Sequence, residues 1–164
     1  MLAEWGYSYD PEVTINASRN NCLTDTNRHY SRLDYHIINI TSCIVLLEVD
    51  EDSHYWYTLS CELGRMSDIR ASLLKAGITK PIYWIRYNPN GKYNVDFEEV
   101  KISRENRELA LKAKLEELCS PDFVPENEVS IHYMYYDLMS EEMGPEIMYD
   151  EAFPEVMREV VSWK

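Results

Sequence analysis

The spacing of hydrophobic positions changes several times along this chain, and each change marks an element boundary. Ser31 to Ile40 (SRLDYHIINI) and Ser42 to Asp50 (SCIVLLEVD) are rich in β-branched and aromatic residues. Only a short Thr-Ser turn separates them, so they predict two strands of an antiparallel hairpin. Leu59, Leu63, Met66, Ile69, Leu73 and Leu74 then recur at helical spacing up to Gly77, a natural helix stop. After Pro81 the run IYWIRY reads as a short strand, closed by the turn Asn88-Pro-Asn-Gly. Arg104 to Leu118 predicts a second helix, with Leu109, Leu111, Leu115 and Leu118 among its apolar positions and alternating charge on its outer face.

Strand, strand, helix, strand, helix describes an α/β core in which the strand after the first helix returns beside the hairpin by a crossover. Flanking this core, the residues up to about Arg28 (with NASRNNCLTDTNRH) read as irregular or weakly stranded. From about Ser120 the chain holds one aromatic strand candidate, VSIHYMYYDL, then the acidic stretches EEMGPE and YDEAFPE, and a short amphipathic end, VMREVVSWK. At 164 residues the expectation is one domain, 1–164, with its core at about 30–118 and an acidic C-terminal extension at about 120–164.

Composition narrows the class. With 45% apolar and 12% aromatic residues the chain can build a packed core. No apolar run approaches the ~18 to 20 residues that cross a bilayer, and the start lacks the features of a signal peptide. The expectation is a soluble intracellular protein, cytoplasmic or nuclear, with no membrane partner. Cys22, Cys43, Cys61 and Cys119 are too scattered for a zinc or disulfide pattern and read as core thiols. A net charge of −13 opposes nucleic-acid binding, which draws on Lys and Arg. However, Leu115–Lys164 holds thirteen acidic and two basic residues, a net of −11, which leaves sixteen acidic and fourteen basic residues, a net of −2, for Met1–Lys114.

Candidate chemistry sits where the second strand ends, in EVDEDSH. Residues two apart on a strand point the same way, so Glu48 and Asp50 share a face, and Asp34 on the neighbouring strand can add a third carboxylate. Three such groups beside apolar strands repel one another and raise their pKa values unless a cation compensates. Mg²⁺, a hard ion that takes carboxylate oxygens and clamps phosphate, suits that role. His54 stands four residues on as a candidate proton carrier. Glu62 and Arg65, at i and i+3, share one side of the first helix, where they can pair with each other or face the cluster. By spacing alone the same residues also read as a solvated strand end, a loop histidine and a surface ion pair, and the YMYYD aromatics read as core.

Arg32-Leu-Asp34-Tyr, Leu47-Glu48-Val-Asp50-Glu-x-x-His54, Cys61-Glu62-x-x-Arg65 and Ile85-Arg86-Tyr-Asn-Pro together resemble the PD-(D/E)XK, or restriction-endonuclease-like, superfamily, most of all its branch of very-short-patch-repair endonucleases. The resemblance covers about Arg32 to Asn90. It implies a restriction-endonuclease-like core, a central mixed β-sheet flanked by helices, and a metal-dependent endonuclease that hydrolyses DNA phosphodiester bonds. Asp34, Glu48 and Asp50 would hold Mg²⁺ or Mn²⁺, while His54, Glu48, Glu62 and Arg65 would form the catalytic set. Asp50 occupies the position of the superfamily's lysine, for which His54 would stand in. DNA is favoured over RNA, and a protein partner or homodimer is open. The missing lysine and the acidic last third motivate an alternative: a catalytically inactive nuclease-fold protein acting as a protein-interaction or DNA-mimic module.

Overall fold

In the computed structural model the residues described are 1–16, 30–51, 59–90, 92–93, 99–100, 102–135, 147–149 and 156–159. The predicted hairpin is present: β2 (Tyr30–Ile37) lies antiparallel to β3 (Ile44–Val49) with Tyr35 opposite Leu47 and Ile37 opposite Val45. Its connection is longer than the two-residue turn expected, because Ile40 and Cys43 turn inward and are buried. Their apolar character extends the β pattern past the place where the strand stops.

The crossover also follows. Helix α1 (Leu59–Lys75) leads to β4 (Ile82–Tyr87), which pairs parallel with β3 and sets Leu46 beside Trp84 and Glu48 beside Arg86. Gly77, at φ +79, ends α1: its amide bonds to the Leu74 carbonyl at 2.9 Å, and the Ile78 amide bonds to Leu73 at 2.9 Å, which satisfies carbonyls the helix cannot. Beyond a two-stranded ribbon, β5 (Lys92–Tyr93) with β6 (Glu99–Val100), α2 runs from Arg104 to Cys119. Ser103 caps α2, its hydroxyl accepting from the Asn106 amide at 3.2 Å. Then β7 (Val129–Met134) adds parallel beside β4.

Besides the β5-β6 ribbon, three strands of the main sheet lie outside the predicted set. β1 (Tyr9–Asn16) pairs antiparallel with β2, and β8 (Ile147–Tyr149) and β9 (Val156–Glu159) form an antiparallel pair in which β9 lies against β7. The mixed sheet therefore runs β1-β2-β3-β4-β7-β9-β8. β1 hides from pattern reading because it carries Asp10, Pro11 and Glu12. An edge strand tolerates such residues, since one row of its backbone groups needs no partner.

Two apolar layers sandwich the sheet. On one face Val45, Leu47, Tyr83, Ile85 and Tyr87 pack with Leu111, Leu115 and Leu118 of α2. On the other, Leu46, Ile82, Trp84, Ile131 and Tyr133 pack with Met66 and Ile69 of α1. Both crossovers step the same way across the sheet with their helices on opposite faces. They are consequently of opposite hand, and one departs from the usual right-handed rule. Tyr133 and Tyr135 are buried, as expected of the YMYYD segment, whereas Leu109 is exposed despite its place in the helical pattern. Of the cysteines expected in the core, Cys43 is buried and Cys119 exposed. No helix among the described residues is long and apolar enough to cross a membrane.

Candidate functional site

Where α1 begins, the apolar layer beneath it gives way to charge. Along β3 the residues facing α1 are Ile44, Leu46 and Glu48, and the chain continues the same alternation to Asp50. The amide of Asp50 prolongs the ladder by donating to the Tyr87 carbonyl at 2.8 Å. On β4 the corresponding row is Ile82, Trp84 and Arg86. α1 runs back over these strands, so its first two turns lie above their C-terminal ends and deliver Glu62 and Arg65 there, just before Met66. The expected sharing of a face by Glu48 and Asp50 is thus met, and both are buried, at 4% and 0% exposure.

Asp34 reaches the same place by a break in regularity. The register of β1 and β2 omits the rung between Glu12 and Asp34, and Glu12 sits at φ 49. Across this break β2 rotates: Tyr35 and Ile37 belong to the layer under α2, but Leu33 belongs to the layer under α1. The ladder with β3 stops at Tyr35 opposite Leu47, and the Val49 amide donates to Asp34 Oδ2 at 2.8 Å. A side-chain carboxylate takes the role that a neighbouring carbonyl would have had, which fixes Asp34 beside Glu48.

Two guanidiniums answer the carboxylates. Arg86, 1% exposed, donates through Nε to Asp50 Oδ2 and through Nη1 to Glu62 Oε2, the latter at 2.6 Å. Arg65 Nη2 lies 3.3 Å from Glu62 Oε2 and 3.4 Å from Glu48 Oε1, and its Nη1 donates to the Arg32 carbonyl at 3.3 Å. Glu62 and Arg65 therefore both pair with each other and face the cluster. Arg86 is the central member that spacing did not select. Its one signal was its place at the end of IYWIRY in the fourth motif.

The Glu48 Oε1 is sealed from solvent and, among the described residues, receives no hydrogen bond, the Arg65 contact being an ion pair outside hydrogen-bond geometry. Burial pushes the Glu48 carboxyl up to about 7; Arg65 and Arg86 oppose the rise, while Asp50 and Asp34 add to it. Burial acts the same way on Glu62, but there Arg86 and Arg65 outweigh it and hold the carboxyl below the usual range. Four carboxylates, Asp34, Glu48, Asp50 and Glu62, face two guanidiniums.

Asp34, Glu48, Asp50, Glu62 and Arg65 thus come together, whereas His54 lies outside the described residues. Among the described residues no group of three or more His, Cys, Asp or Glu side chains is placed to hold a metal ion. Compensation by arginine explains why: Asp50 and Glu62 are turned toward Arg86. No family model, curated protein or solved structure matches the chain.

Proposed function

We propose that the chain is a metal-dependent endonuclease acting on DNA, with Asp34 and Glu48 as the carboxylates that hold Mg²⁺ or Mn²⁺. The observation that carries this reading is the Glu48 carboxylate, buried, with an oxygen that lacks a hydrogen bond among the described residues, beside three further carboxylates that share two guanidiniums. A cation supplies what that oxygen lacks. Two protein carboxylates suffice, because Mg²⁺ keeps several of its waters and is commonly held by one or two carboxylates together with substrate phosphate. The mixed sheet, with the four motifs falling on strand, strand, helix and strand, supports the restriction-endonuclease-like reading of the fold.

When bound, the ion would polarise a phosphoryl oxygen and lower the pKa of a water. The chain's own residues divide the remaining tasks. Asp34 is held in place by the Val49 amide, Glu48 supplies the second ligand, and Arg65, partly exposed in the second turn of α1, offers a fork suited to phosphate. His54 is assigned the proton on sequence grounds alone. Titration of Mn²⁺ and Mg²⁺ into wild type and Glu48→Ala, followed by incubation with supercoiled plasmid, tests the reading. Metal binding accompanied by nicking, with the rate in the variant down by ~10² to 10³, is the expected result. Near-normal nicking by Glu48→Ala or Asp34→Ala would sink it.

The pairing of Asp50 and Glu62 with arginines favours a second reading, an inactive nuclease-fold protein that engages a basic protein partner through its acidic surface. Absence of both metal binding and nicking in the wild type selects that reading.

A further inference from the structure

Arg86 joins three elements at one point. It stands on β4, bonds Asp50 just past β3 and Glu62 in the first turn of α1, and is itself 1% exposed. A guanidinium so far from water needs counter-charge, and its fork meets two carboxylates through different nitrogens. Asp50, at 0% exposure, gives its Oδ2 to the Nε side of that fork. A divalent cation on Asp50 would have to sit against the Arg86 charge. Glu48 is the cross-strand neighbour of Arg86, yet Arg86 bonds past it to Asp50 and Glu62, and among the described residues the Glu48 Oε1 is left with the 3.4 Å contact to Arg65.

We infer that Arg86 is a positioning residue of this site, that Asp50 is its counter-ion and not a metal ligand, and that Glu48 is the ligand from the end of β3. By holding Asp50 and Glu62 on its own fork, Arg86 fixes the end of β3 against α1 and keeps both carboxylates from competing for the cation that Glu48 and Asp34 would share. The statement about ligands rests on the metal reading above. The pairing of Arg86 with Asp50 does not.

The test uses the full chain, Mn²⁺ alone as probe, and the variants Asp50→Asn, Glu48→Gln, Arg86→Gln and Arg86→Lys, with urea midpoints for each. Asparagine keeps an acceptor for the Arg86 Nε–H but has no charge to give a metal. The expected result is that Asp50→Asn changes Mn²⁺ affinity little while Glu48→Gln loses it. Arg86→Gln weakens binding about tenfold, the scale for groups that hold a ligand in place, and Arg86→Lys recovers part of the loss, which a purely structural role would show only in the midpoint. A folded Asp50→Asn variant that loses Mn²⁺ as Glu48→Gln does overturns the inference. If the wild type binds no Mn²⁺, the endonuclease reading has failed and the pairing is decided by stability. The double variant Asp50→Asn/Arg86→Gln should then lose less than the sum of its singles, and simple additivity overturns the inference.

Discussion

The two faces of β3 and β4 are built from alternate residues of the same twelve-residue pair of strands, yet they end differently. Toward α2 the rows Val45, Leu47, Val49 and Tyr83, Ile85, Tyr87 stay apolar to their last residue. Toward α1 the rows begin as apolar, with Ile44, Leu46 and Ile82, Trp84, and close on Glu48, Asp50 and Arg86. Local propensity cannot account for the difference, since neighbouring residues on one strand share it. What differs is the element above. α2 brings leucines over the strands, whereas the N-terminal two turns of α1 bring Glu62 and Arg65 to the strand ends, where the helix amides also favour negative charge. A buried charge is tolerated where a second element supplies its complement, and one residue along the strand it is not.

Moving a charge across the sheet gives the largest expected effect. Leu47→Glu places a carboxylate on the face away from Arg65 and Arg86, at a position with 0% exposure, beside a residue where glutamate is native. The cost is about 3 to 5 kcal/mol for an uncompensated buried charge, a large share of the ~5 to 15 kcal/mol that holds a domain together. Urea unfolding checks it, and a near-wild-type midpoint would mean that the two faces are equivalent.

Next is the pH dependence of the charged face. Burial raises the Glu48 carboxyl from 4.5 to about 7. Between those values the folded chain holds a proton that the unfolded chain has lost, so stability is highest at the acid end of this window, falls as pH rises through it, and is level above it. The total is about 3 kcal/mol. Glu62, held low, acts in the opposite sense, its contribution being lost only as pH falls below the ordinary carboxylate value. Glu48→Gln should flatten the slope between pH 4.5 and 7 without altering the more acidic limb. A variant whose slope matches wild type would show that Glu48 ionises as it does in water.

Much of this contrast was legible in the sequence, for reasons particular to each element. The apolar run IVLLEV follows from burial on both faces of the sheet, and the spacing of Met66, Ile69 and Leu73 from burial of one helix stripe, so β3 and α1 were readable. Glu48 and Asp50 on one face followed from strand alternation. β1 was not readable, because an edge strand kinked at Glu12 has no reason to alternate cleanly. Nor was the role of Arg86, whose partners lie 36 and 24 residues away on two other elements. An arginine ending a strand reads as solvated until the helix above it is known. The rise expected of crowded carboxylates is met at Glu48, where burial is its largest cause and Asp50 and Asp34 add to it. Glu62 goes the other way, because Arg86 and Arg65 supply opposing charge, of which only the Arg65 part was open to sequence reading.

A smaller effect tests how far the order of the strand ends depends on polar tethers. Asn88, buried just past β4, donates through Nδ2 to the Tyr135 carbonyl at 3.0 Å and accepts the Asn90 amide at 2.9 Å. Tyr135 itself sits at φ 64, a conformation that needs support from its surroundings. Asn88→Ala should cost about 1 to 3 kcal/mol by removing the two hydrogen bonds that its side chain makes, with faster amide exchange at Asn90. Unchanged exchange there would mean that the turn holds itself.

The smallest effect is the sharpest control. Ile85 stands next to Arg86 in sequence but points into the α2 layer at 0% exposure. Ile85→Val removes one methylene and should cost about 0.5 to 1.5 kcal/mol, while Mn²⁺ binding and plasmid nicking stay at whatever level the wild type shows. The shift in midpoint and the constancy of function must appear together, because a packed layer registers the lost volume and the sheet separates it from the carboxylates. If so small a change on the α2 face altered metal binding, the chemistry would not belong to the α1 face alone, and the sheet would have to be treated as transmitting strain from one layer to the other.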